Sequence, residues 1–122
     1  MASAKNFEDL EVWQKASDLA VKIYKSTLQQ AFNRDFTLRD QVRKSAISIS
    51  SNIAEGFEYG NNKDFIRFLR YAKGSAGELR SQLHIAAKLN YLDVTEFDNI
   101  QKELLHTSRQ ISSLIRYLQQ HI

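Results

Sequence analysis

The residues best suited to acid–base or metal chemistry are three histidines, His84, His106 and His121, set 22 and 15 residues apart. Two histidines hold a metal from one helix when they stand four apart, as in HExxH, and no such pair is present. A carboxylate-bridged di-iron centre needs a Glu followed three residues later by a His on each of two helices. Glu103 and His106 supply that spacing once, whereas Glu78 has Ser81 in the same place. Ser45, Ser48, Ser50 and Ser51 carry hydroxyls, but no histidine lies near them in sequence to take a proton. Cysteine is absent, which excludes thiol catalysis, zinc fingers and iron–sulfur clusters. No catalytic residue, metal or cofactor is expected.

Binding chemistry is better represented. Residues 61–90 hold Lys63, Arg67, Arg70, Lys73, Arg80 and Lys88 against Asp64 and Glu78, a surplus of four, while the remaining segments nearly cancel. The formal net charge of +3 therefore originates in one stretch. If that stretch is helical, Arg67, Arg70, Lys73, Arg80 and Lys88 fall within a sector of about 140° at ~100° per residue. Arg39, Arg43 and Lys44 form a smaller cluster upstream. These eight residues are the candidate nucleic-acid contacts, because guanidinium and ammonium groups neutralise phosphate. A solvated face of a mildly basic protein is the plainer alternative. Gly74-Ser75-Ala76-Gly77 superficially resembles a phosphate loop, but inside a helix it cannot form one. Close approach of a neighbouring helix is the expected reason for glycine there.

The elements that position these groups follow from periodicity. A chain of 122 residues with 43% hydrophobic content makes one core, and zero prolines with four glycines favour long helices over a sheet. The first helix is predicted over about Glu8–Gln30, with a stripe of Leu10, Trp13, Ala16, Ala20, Ile23 and Thr27. Thr37 and Asp40 resemble a capping box and predict a second helix from Leu38 to near Tyr59. Its buried line is Val42, Ser45, Ala46, Ile49, Ile53 and Gly56. Gly60 then stops it, and Asn61 or Asn62 caps a third helix whose inward side is Phe65, Phe68, Leu69, Ala72, Ala76, Leu79, Leu83 and Ala86. Asn90 is a second stop. From Asp93 a fourth helix carries Phe97, Ile100, Leu104, Thr107, Ile111, Leu114 and Leu118. Short connections make the fold class all-α, an antiparallel up-down-up-down four-helix bundle. Residues 1–6 are expected to be a flexible leader and residues 7–122 a single domain. Val12, Leu19 and Ile66 fall off the stripes, which predicts their burial between subunits. No signal-peptide pattern or apolar run of ~18 residues occurs, so a cytoplasmic location without a membrane partner is expected.

Several motifs in order resemble a known family: Phe7 through Ala16, Gln41 through Ala46, Ser51-Asn52-Ile53-Ala54-Glu55-Gly56, and Phe68-Leu69 with Gly74-Ser75. Together they are similar to the four-helix-bundle proteins encoded in intervening sequences of bacterial 23S ribosomal RNA genes. Trp13, Asn52, Glu55, Gly56 and Gly74 are its structural motif residues. The expected role of Asn52 and Glu55 is hydrogen bonding to an adjacent helix, and that of Gly56 a close crossing. Members of that family are similar in fold to the accessory protein of diversity-generating retroelements, a homopentamer with a basic surface that engages nucleic acid and a reverse transcriptase. The resemblance thus implies a homo-oligomer, a pentamer, with a non-enzymatic, RNA-related role and a reverse transcriptase among its protein partners. A protein-interaction module whose basic helix docks an acidic partner is the alternative. The two differ in whether RNA or an acidic polypeptide competes for the face.

Overall fold

A computed structural model describes residues 4–121. The chain opens with a 3₁₀ turn, Phe7–Asp9, and continues as helices α1 (Glu11–Ser26), α2 (Gln30–Arg34), α3 (Phe36–Glu58), α4 (Asn62–Lys88) and α5 (Val94–Gln119). The four long helices form the up-down-up-down bundle, with contacts running round the ring α1–α3–α4–α5–α1. At 1.5 Å per residue, α4 is about 40 Å long. Residues 1–3 of the expected leader lie outside the described residues. Ala4 already lies against the core.

The predicted first helix is divided in two places. Leu10 adopts an extended conformation, which turns its side chain into the core, and α1 starts one residue later without a side-chain cap. At the other end the chain leaves the helix after Ser26 because Phe32 must be buried. Continuing α1 would not deliver it inward. The short α2 does so, placing the Phe32 ring 5.3 Å from that of Tyr91. The start of α3 also differs. Asp35, not Thr37, is the cap: its Oδ1 accepts from Leu38 N at 3.1 Å, while Oδ2 accepts from the Tyr91 hydroxyl at 2.9 Å. This bond to a carboxylate holds the Tyr91 phenol above its ordinary pKa, because an anionic phenolate could not donate.

Gly60 and Asn90 both take positive φ, 77° and 62°, and end α3 and α4 as the sequence predicts. Asn61 caps α4 by accepting from Asp64 N at 2.8 Å, and Asp93 caps α5 by accepting from Glu96 N at 2.7 Å. The predicted lines of α3 and α4 are buried throughout. Those of α1 and α5 are buried except Trp13 and Phe97, which are half-buried, Trp13 edge-on to Phe7 at 5.1 Å.

Val12, Leu19 and Ile66 correct the sequence reading. They are only 6%, 2% and 4% exposed, and all three belong to the core of the protomer itself. Each bundle helix meets two neighbours, so its inward sector is wider than one stripe. No subunit contact is needed to cover them.

Candidate nucleic-acid interface

The basic segment lies on α4, and its inner face fixes which side looks outward. Phe65, Phe68, Leu69, Ala72, Ala76, Leu79, Leu83 and Ala86 are buried against α3 and α5. Close approach to α3 depends on Gly56: a Cβ there would stand 2.6 Å from Phe68 Cβ and 3.2 Å from Phe65 Cδ1. Polar pairs fix the register of the same contact. Ser45 Oγ donates to Glu78 Oε1 at 3.0 Å, and the hydroxyls of Ser48 and Ser75 are 2.8 Å apart. Asn52 reaches α4 only indirectly, donating to Ser48 O and Ser48 Oγ on its own helix. Glu55 is exposed.

Gly74 overturns its expected role. It and Gly77 are exposed, and a Cβ at either position would meet nothing within 4 Å. They lie on the outward side of α4, so helix packing does not account for them.

Of the eight candidate contacts, Lys44, Arg70, Lys73 and Lys88 are exposed and make no hydrogen bond or ion pair among the described residues. Arg67 is also exposed and pairs with Asp64 at 3.1 Å. The neighbouring Tyr71 phenol and then the Asp64 carboxylate hold its guanidinium even more firmly charged than usual. Asp64 is lowered below its ordinary value, first by its bond from Asn61 and then by Arg67. Of the other three candidates, Arg39 and Arg43 are engaged within the protomer and Arg80 is partly enclosed. Arg39 donates to Asn33 O and Oδ1 and to Asp40, and lies over the Phe36 ring. Arg43 donates to the buried Thr27 hydroxyl at 2.8 Å and covers Tyr24. Arg80 is half-buried with its Nε enclosed and unpartnered. Arg67, Arg70, Lys73 and Lys88 thus share the outer side of one helix, while Arg39 and Arg43 tie α2 and α1 to α3.

Sequence spacing did not single out Tyr59 and Tyr71, which stand exposed beside Arg67. The signal was there: Tyr71 follows Arg67 by four residues, one helical turn away.

His106 shares a groove with Asp18 and Glu103, which Lys15, Lys22 and Lys102 also line. Glu103, the partner expected of His106 in a metal motif, pairs instead with Lys22. His121 stacks on Tyr117 at 4.3 Å, in a groove of about 450 Å³ that no carboxylate lines among the described residues. Among the described residues no group of three or more His, Asp or Glu is placed to hold a metal, and no helix is long and apolar enough to cross a membrane.

The fold defines a class: an all-helical bundle of four long helices. The chain belongs to the family of 23S rRNA-intervening sequence proteins, whose model matches residues 8–113. Among solved structures it is similar to a protein of unknown function from the S23 ribosomal protein family of Bacteroides thetaiotaomicron VPI-5482. The TM-score is 0.78 at 25% identity, covering 85% of this chain and 97% of that one. No curated protein matches the chain.

Proposed function

We propose that the protein is a non-enzymatic, cytoplasmic homo-oligomer that binds structured RNA through the outer side of α4 and serves as a scaffold for it. The observation that carries this reading is the outward set of Arg70, Lys73 and Lys88, which lack acidic partners among the described residues, next to Arg67 on the same helix. Unpaired cations in a row suit the phosphates of a polyanion, and the family's name supplies the ribosomal RNA setting. Lys44 lies on α3 and adds to the field rather than to the row.

Self-association rests on a different surface from the one the sequence suggested. Ala20, Val21, Tyr24, Leu28 and Ile47 line an apolar groove between α1 and α3, and the four larger side chains are exposed there. Covering such a groove with another copy removes apolar area from water. Five copies of a chain with net charge +3 would carry +15, which strengthens attraction to RNA.

The test is filter binding of a structured ribosomal RNA fragment, with excess acidic polypeptide as competitor. RNA retained against the polypeptide supports the reading. Displacement by the polypeptide, with no preference for RNA, favours an acidic protein as the partner of α4. Light scattering reads the assembly, with about five times 14.1 kDa expected for the pentamer.

A further inference from the structure

The corner between α3 and α4 holds an ordered aromatic group that helix packing alone does not require. Phe68 is buried and serves as its anchor. Tyr59 stacks on it with ring centroids 5.1 Å apart and planes 23° apart, and Tyr71 meets it edge-on at 5.5 Å. The Arg67 guanidinium lies 4.6 Å from the Phe68 centroid and 5.9 Å from that of Tyr59. Tyr59 and Tyr71 nonetheless remain 52% and 51% exposed. Beyond Tyr71 the surface is low, because Gly74 presents bare backbone with open space above it. Lys63, Arg67 and Arg70 supply positive charge on the same helix. The nearby acids are Asp64, which Asn61 and Arg67 engage, and the exposed Glu55 and Glu58 of α3.

We propose that this corner is a stacking site for unpaired bases of single-stranded RNA, with Tyr59 and Tyr71 taking the base faces and Lys63, Arg67 and Arg70 the adjoining phosphates. The inference rests on the RNA-binding reading above and adds which part of the RNA is held here. A duplex conceals its base faces, so exposed rings would gain nothing from it beyond the cations. An acidic polypeptide likewise uses the charges and leaves the rings idle. A nucleotide in a loop or bulge offers a π-face and a phosphate together, matching the alternation of tyrosine and arginine. Phe68 already fixes the rings, so little side-chain freedom is lost when a base stacks.

The test compares a short oligouridylate carrying one 2-aminopurine with an RNA duplex of equal length, at one salt concentration, on the full chain. Tyr59→Ala and Tyr71→Ala should each weaken the oligouridylate about fivefold or more and abolish the quenching that accompanies stacking. Duplex affinity should stay at the parental value, and Tyr71→Phe should retain the oligouridylate. Parental affinity in the alanine variants, or an equal loss on both RNAs, overturns the stacking site while leaving RNA binding intact. A fall in oligomer mass in those variants overturns it too, by assigning the corner to contact between copies. If the parent binds neither RNA, the RNA-binding reading fails along with it.

Discussion

Gly56 and Phe68 touch across the α3–α4 crossing so closely that a Cβ on Gly56 would stand 2.6 Å from the Phe68 Cβ. The obstructing atom lies next to the α4 backbone, so no rotation of a side chain relieves it. Alanine at position 56 gains about 1 kcal/mol of helix propensity but must push the helices apart, at a cost of about 1–3 kcal/mol. Gly56→Ala is therefore expected to lower stability in a urea titration. A rise in the midpoint would mean that the crossing has slack.

Gly74 and Gly77 predict the opposite. Both φ values are ordinary for a helix and nothing occupies the space beyond, so Gly74→Ala and Gly77→Ala should each stabilise the protomer by about 0.5–1 kcal/mol. Thermal melting of the single variants checks this, and a lowered Tm in either would reveal an intramolecular contact at that position.

Asp35 caps α3 with one oxygen and receives the Tyr91 hydroxyl with the other. Asp35→Ala should cost about 1–2 kcal/mol through the lost cap. The pH dependence has a defined sign. Tyr91 is raised above 10.0 in the fold, so its contribution is full below that pH and is lost as pH rises through the higher folded value, where the unfolded chain has already released the proton. Stability should fall above pH 10, and Tyr91→Phe should remove that part of the fall. An identical alkaline profile in the variant would show that the bond does not contribute.

What the sequence made legible was local. The α3 line from Val42 to Gly56 depends only on spacing, and Gly60 and Asn90 act through their own backbone freedom, so all of these read directly. The break after Ser26 was not legible because it serves Phe32, whose pocket is completed by Tyr91 far along the chain. Val12, Leu19 and Ile66 were misassigned because a stripe of one helix does not reveal how many neighbours it will meet. The same holds at the interface. Helical spacing put Arg67, Arg70, Lys73, Arg80 and Lys88 on one side, but it contains nothing about the enclosure of Arg80 Nε or the bond from Arg43 to Thr27.

Arg43 and Arg70 separate the two kinds of arginine. Arg43→Ala removes a bond to a buried hydroxyl and a ring contact, and is expected to destabilise the protomer by about 1–3 kcal/mol. Arg70→Ala, on the open side of α4, should change stability by less than about 0.5 kcal/mol. Denaturant titration of both variants reads the contrast, and equal losses would refute the distinction.

The salt dependence of RNA affinity tests the central claim most directly. Phosphate contacts release counterions, so the logarithm of affinity falls with the logarithm of salt by about 0.7–0.9 for each phosphate neutralised. The measurement compares the parent with Arg70→Ala/Lys73→Ala/Lys88→Ala on a structured RNA across a salt series, after circular dichroism and light scattering establish equal folding and assembly. The predicted result is weaker binding on every RNA sequence and a slope flattened by about two units or more per protomer engaged. A triple variant that folds, assembles and keeps the parental slope would contradict the assignment of RNA binding to α4.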